Sequence, residues 1–143
     1  MYMKHWDHSS DALPAVAVPS DRRRQRGQTA YHAGLAAEDS VERHYVDRGL
    51  RPLARRWRGP GGEIDLILLD GDAVVFVEVK KAASFDQAAL RVRPRQAQRI
   101  GASALAYLDH MPRGSLTDMR IDVALVDQVG AVQVLENAFA DFW

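Results

Sequence analysis

Residues 61–80 read GGEIDLILLDGDAVVFVEVK, and this stretch decides the fold. Two apolar arms, 63–69 and 73–80, flank Asp70-Gly71-Asp72. Both arms are rich in β-branched or large apolar side chains, and Asp-Gly is a strong hairpin signal. The arm centres lack a clean polar alternation, which predicts a sheet covered on both faces. With Gly71-Asp72 as a two-residue loop, Asp70 opposes Ala73 and paired positions sum to 143. Asp65 then lies opposite Glu78, and Glu63 opposite Lys80. Side chains two apart share a face, so these four polar groups would collect at the open end of the hairpin. A slip of one residue would put Asp65 and Glu78 on opposite faces, so the cluster depends on register.

Working outward, the upstream spacing predicts a helix over 29–48 that ends at Gly49, a residue suited to a helix C-terminus. Ala37, Val41 and Tyr45 form its apolar stripe, with Leu35 and Val46 further round the same side. Glu38 falls near the centre of that arc, where a carboxylate must be paired, neutralised or bound to metal. A strand follows over 50–57, with Pro52 keeping it at an edge or a start. Gly59-Pro60-Gly61-Gly62 reads as a turn or mobile loop. Downstream, 84–93 reads as a loop and Pro94 opens a helix through Leu108, carrying Ile100, Ala104 and Leu108 at helical spacing. After a loop over 112–117, residues 120–126 and 131–135 form a second strand pair. The order α, β, β, β, α, β, β predicts an α/β sandwich of one mixed sheet flanked by helices. Residues 1–27 read as a flexible basic tail, and 28–143 as a single domain.

Composition narrows the class. The 143 residues hold 19 basic and 19 acidic side chains, so the net charge is zero, and there is no cysteine. That removes disulfide scaffolds, thiolate zinc sites and Cys nucleophiles. The apolar runs are too short for a membrane span, and the first 20 residues hold no signal-peptide core, so a cytoplasmic protein away from membranes is expected. Net neutrality hides segregation: residues 22–58 carry +6, 59–79 carry −5, and 80–99 carry +5. An acidic block between two basic blocks suits a polyanion held beside a metal. The plain alternative is scattered solvated charge.

The opposed carboxylates supply the chemistry. Asp65 and Glu78 repel, and one takes a proton unless a cation sits between them. Lys80 compensates only partly. A hard divalent ion such as Mg2+ would resolve the repulsion with oxygen ligands and several waters. A lysine beside it could orient or deprotonate an attacking water while the ion stabilises charge on a phosphoryl oxygen. The competing reading is a ladder of salt bridges at a strand end.

Asp65 followed by Glu78-Val79-Lys80 matches the PD-(D/E)xK signature of restriction-endonuclease-like nucleases. The 61–80 stretch more specifically resembles the YraN-like family of small bacterial proteins. The likeness runs from Gly34-Leu35-Ala36-Ala37-Glu38, through Arg120-Ile121-Asp122-Val123, to Asn137-Ala138-Phe139, and so spans about residues 27–140. It implies a restriction-endonuclease-like core and a Mg2+- or Mn2+-dependent phosphodiesterase site acting on nucleic acid, with DNA the first expectation. Asp65 and Glu78 would be metal ligands, with the Val79 carbonyl a third and Lys80 the catalytic lysine. Glu38 would match the acidic residue that many such nucleases contribute from the first helix, holding a second metal or its water. Gln96 stands where relatives often carry a basic residue; it could still hydrogen-bond phosphate but brings no charge. Arg93, Arg95 and Arg99, in the second basic block, are candidate nucleic-acid contacts beside Gln96. Arg22, Arg23, Arg24 and Arg26 of the tail could also touch phosphate.

Two other readings keep the same core: a nucleic-acid-binding module without catalysis, and a protein-interaction domain whose carboxylates only stabilise the hairpin. An exposed strand edge would permit a homodimer. His5, His8, His32, His44 and His110 show no metal spacing. Asp122 is expected to form a structural pair with Arg120, and Trp57 to serve core or rim packing.

Overall fold

The computed structural model describes residues 35–140. The expected tail and the first turns of the expected first helix lie outside these residues. Helix α1 occupies 35–46 of the described chain and closes through a turn in which Gly49 takes φ 93°, the left-handed conformation expected at this helix end. Strands β1 (Arg51–Gly59), β2 (Gly62–Asp70) and β3 (Ala73–Lys81) follow as a meander. Helices α2 (Phe85–Ala89) and α3 (Pro94–Leu108) then lead to β4 (Met119–Val126) and β5 (Val132–Leu135). The five strands lie side by side in chain order. Every neighbouring pair is antiparallel except β3 and β4, which run parallel across the α2–α3 crossover.

Both sheet faces are covered, as the unbroken apolar arms require. On one face Ile67, Phe76, Ile121 and Val123 pack under Ile100, Ala104, Tyr107 and Leu108 of α3. On the other, Leu66, Leu68, Val75, Val77 and Ala124 pack under Ala37, Val41 and Tyr45 of α1. This is the restriction-endonuclease-like sandwich expected from the sequence. Val46 departs from its expected place: it is 44% exposed, because the stripe rotates off the sheet in the last helical turn.

The central hairpin has the expected register. Leu66 pairs with Val77, Leu68 with Val75 and Asp70 with Ala73. Gly71 takes φ 61° at the first turn position, a conformation glycine adopts without a Cβ penalty. The Pro60-Gly61 turn is tied to α3. Gly61 N–H donates to Ser103 Oγ at 2.9 Å, and that hydroxyl donates to Gly62 O at 2.8 Å. A Cβ at Gly61 would fall on the Arg99 carbonyl oxygen, so the turn lies directly against α3.

Two local expectations need correction. The segment 84–93 is not all loop: Ser84 caps α2 by accepting Gln87 N–H at 3.2 Å, and burial of Ala88 anchors this short helix. The loop over 112–117 contains a single 3-10 turn, Gly114–Leu116. Pro52 does lie on an edge strand, next to a bulge that separates it from Ala54 in the pairing. Among the described residues, no helix is long and apolar enough to cross a membrane.

Candidate active site

Regular β2–β3 pairing stops at Leu66 and Val77, one step before the carboxylates. There Asp65 Oδ2 accepts the Val79 backbone N–H at 2.8 Å. A side chain thus replaces the next rung of the ladder. Glu78 turns to the α3 side, where it meets Arg99. Glu78 is buried, at 7% exposure. Its Oε2 accepts from Lys80 Nζ at 3.2 Å and from Arg99 Nη2 at 2.9 Å. Burial pushes the Asp65 carboxyl up to about 8, and the neighbouring Glu78 charge adds to the rise; the Val79 N–H opposes both. Asp65 is also within hydrogen-bond reach of Glu78, which further favours its protonated form.

Asp65, Glu78 and Lys80 are brought together, and Glu63 is not. Its carboxylate turns to Arg58, at 3.7 Å, instead of closing a cluster with Lys80. The interrupted ladder explains the difference: register alone no longer dictates which side chains meet beyond Leu66.

Glu38 arrives from α1 and is 6% exposed. Its Oε1 accepts from Arg56 Nε at 3.0 Å. Burial raises the Glu38 carboxyl above its ordinary range despite the Arg56 hydrogen bond and charge. The Glu38 charge in turn reaches Asp65 and raises it further. Arg56 sits at φ 55°, a left-handed conformation that is unusual for a non-glycine residue within a strand. Consecutive side chains of a regular strand point to opposite faces. Here Arg55 bonds Asp39 at 2.8 Å and Glu42 at 3.2 Å while Arg56 bonds Glu38, so both arginines address α1. The irregular backbone is what allows this. No sequence signal marks Arg56; its partner is set by how α1 docks.

The remaining candidates divide. Gln96 Oε1 accepts the Arg93 backbone N–H at 2.9 Å and so caps the start of α3. That oxygen is committed to the helix, which leaves the amide nitrogen as the group that could donate to a phosphate. Arg93 and Arg95 are solvent-exposed at the same helix end. Arg99 points to the carboxylates, bonding Glu78 and also Glu63 O at 3.1 Å. Its place in the basic block marked it as cationic, but its carboxylate partner needed the fold. A cleft of about 640 Å³ opens on the α1 side, lined by Ala37, Ser40, Lys81, Arg91 and loop residues 127–130. Asp65, Glu78 and Lys80 do not line it.

Among the described residues, no three His, Asp or Glu side chains form a ready metal cage. His44 and His110 do not converge on the carboxylates; His110 packs edge-on to Trp57, at 6.1 Å, and to Tyr107, at 5.8 Å. Trp57 also packs against Tyr107 at 5.2 Å, in the rim role expected of it. His5, His8, His32 and the arginines of the tail lie outside the described residues. What the site offers is two hard-oxygen side chains held side by side, with a backbone carbonyl close in sequence. That donor set fits Mg2+ or Mn2+, since Mg2+ commonly binds through one or two carboxylates and keeps several waters.

Asp122, by contrast, is a satisfied buried acid. It accepts from Tyr45 Oη at 2.8 Å, from Arg120 Nε at 3.1 Å and from Asn137 N–H at 2.9 Å. This is the structural pairing expected from the sequence, enlarged by α1 and by the chain beyond β5.

Comparison with known proteins places this architecture. A family model described as "Uncharacterised protein family UPF0102" matches residues 37–126, which include every carboxylate of the site. A UPF0102 protein of Roseobacter denitrificans is 54% identical over 122 residues, covering 85% of this chain and 95% of the relative. One from a Ruegeria species is 52% identical over 116 residues, covering 81% and 94%. Another, from Dinoroseobacter shibae, is 48% identical over 120 residues, covering 83% and 90%. With the match spanning most of the domain that carries Asp65, Glu78 and Lys80, this chain belongs to the UPF0102 family.

Proposed function

We propose that this protein is a Mg2+- or Mn2+-dependent nuclease that hydrolyses nucleic-acid phosphodiester bonds, with DNA the first substrate to test. The observation that carries the reading is the Asp65–Glu78 pair, a half-buried and a buried acid held side by side with Lys80 Nζ 3.2 Å from Glu78. Two acids placed together at the sheet end repel, so an arrangement that keeps them facing each other favours a binding role. Asp65 and Glu78 would hold the ion, with the Val79 carbonyl as a further donor. When bound, the ion would supply the positive charge that stabilises a developing phosphoryl oxyanion and lowers the pKa of water.

The chain's own groups do the rest. Asp65 must give up its proton before it can ligate, so it titrates as the site loads. Lys80 is held by Glu78 at the sheet end, where its ammonium can orient an attacking water or take part in its proton transfer. Glu38, fixed by Arg56, adds a negative wall to the same end of the sheet. Arg93 and Arg95 lie exposed at the start of α3 and would bind backbone phosphates through their guanidinium groups.

The test is a cleavage panel over duplex, single-stranded, flap and four-way DNA with Mg2+ or Mn2+. Wild type is run beside Asp65→Ala and Lys80→Ala, with folding checked by circular dichroism. Metal-dependent cleavage lost in both folded variants supports the proposal. A second reading, binding without hydrolysis, draws on the ion pairs that already satisfy Glu78; its signature is salt-sensitive binding with no cleavage on any substrate.

A further inference from the structure

Three cations meet the acids of the site, and they are not equivalent. Lys80 sits two residues from Glu78 on the same strand, so its place is set by β3 itself. Arg56 is tied to Glu38 from the edge strand. Arg99 comes from α3, 21 residues away in sequence, with its side chain 37% exposed and its Nη2 2.9 Å from Glu78 Oε2. Its second nitrogen bonds only a backbone carbonyl, Glu63 O, at 3.1 Å. Arg99 therefore places a full positive charge on the oxygen that a metal ion would ligate, and it does so from a position open to solvent.

We propose that Arg99 is an internal stand-in for the divalent cation: it neutralises Glu78 in the metal-free protein, leaves that oxygen when metal enters, and then engages the nucleic-acid phosphate. The inference rests on the nuclease reading above and adds a coupling to it. Glu78 Oε2 already carries two donors, Lys80 and Arg99, and a carboxylate oxygen has little room for a metal beside both. Arg99 is the one with somewhere to go. A guanidinium matches phosphate oxygens in the same two-pronged way as it matches a carboxylate. Arg93 and Arg95 lie one to two turns before it on α3, so the released guanidinium joins an exposed basic helix end. Metal and nucleic acid then help each other: metal frees the phosphate ligand, and phosphate capture keeps Glu78 clear. Such coupling is reciprocal by thermodynamic necessity.

The experiment titrates Mn2+ alone into the full chain by calorimetry, for wild type, Arg99→Gln and Arg99→Lys. The Arg99→Gln protein should bind Mn2+ roughly fivefold tighter or more, the size typical of a coupling of this kind. Arg99→Lys, which keeps the charge without the fork, should show a smaller gain of the same sign, and it carries the test should the glutamine variant not fold. In parallel, the affinity for a short labelled DNA duplex is measured with and without Ca2+. The strengthening by Ca2+ should shrink in Arg99→Gln. An Arg99 that serves only the fold would lower Tm and leave Mn2+ affinity unchanged or weaker, which overturns the proposal while the wild-type metal site stands. A Ca2+ effect on duplex binding equal to wild type overturns the release onto phosphate. Absence of Mn2+ binding in wild type and in both variants overturns this inference and the nuclease reading together.

Discussion

Two acid sites lie on the same sheet, and they have been built on opposite terms. Asp122, 0% exposed, has donors from a tyrosine, an arginine and a backbone amide. Asp65 has one backbone donor and faces a second acid. Asp122 and Glu78 are both buried, so burial alone does not separate a structural carboxylate from one in the candidate site. What separates them is whether the fold surrounds the acid with donors or with another acid. The first arrangement makes the charge part of the scaffold: Asp122 ties α1, β4 and the chain after β5 together. The second sets two acids against each other, with Lys80 and Arg99 balancing Glu78. Tyr45 shows the same logic from the donor's side. Burial and the adjacent Asp122 push its phenol far up, so it stays a donor at any ordinary pH.

The contrast can be broken most sharply by catalysis. Lys80→Ala should lower any metal-dependent cleavage by about 10²–10⁴-fold, the range for losing a group that assists proton transfer, with little change in Tm. Steady-state cleavage rates beside a melting curve check this. A variant that cleaves normally would move Lys80 into the same structural class as Arg120.

The complementary change is Asp122→Ala. It leaves the Arg120 and Tyr45 donors facing a cavity, and breaking a buried pair in this way costs about 3–5 kcal/mol. Urea unfolding should show that loss, and cleavage by the surviving folded fraction should persist. Asp65→Asn should behave in the opposite sense, costing little at pH 7 because the amide resembles the acid that is already protonated there.

Stability against pH sharpens the same point. The Asp65 carboxyl is raised in the folded protein, to about 8 from 3.8. Between those values the folded chain holds a proton that the unfolded chain has released. Stability contributed by this group is therefore full at low pH, falls as pH rises towards about 8, and is flat beyond. Asp65→Asn should remove that slope from a Tm series in chelator, whereas Asp122→Asn should leave it in place.

Metal should act on one acid site only. Millimolar Mg2+ or Mn2+ should raise Tm by mass action, about 1.4 kcal/mol at ten times Kd, and more strongly as pH approaches 8 because Asp65 must lose its proton to ligate. The shift should vanish in Asp65→Ala and survive Asp122→Asn. A flat response with metal, repeated with DNA present, would argue that the Asp65–Glu78 pair is as closed as Asp122. The smallest expected effect is at the helix end: Arg95→Ala should weaken duplex binding modestly and reduce its salt slope by about one.

Much of the fold was legible before any coordinate. The β2–β3 register followed from a two-residue turn and alternating faces, which are local properties of the chain. Pro94 announced the start of α3, and the uninterrupted apolar arms announced a sheet buried on both sides. The same register carried Asp65 and Glu78 to the open end of the hairpin, with Lys80 two residues beyond Glu78 on its strand. They failed where the ladder stops: Glu63 paired with Arg58, because only continued strand pairing would have carried it to Lys80. They also passed over α2, whose signal is a single serine cap on a five-residue helix.

By itself, then, the sequence determined the elements and the hairpin alignment that carries two acids to its open end, since turn geometry and side-chain alternation act over a few residues. Only the tertiary structure decided how those acids are balanced. Arg99 meets Glu78 because α3 packs on one face of the sheet, and Arg56 meets Glu38 because α1 docks on the other while the backbone turns left-handed. Ion pairs between distant segments depend on the relative placement of whole helices, and that placement is settled by core packing, which no local pattern of charges encodes.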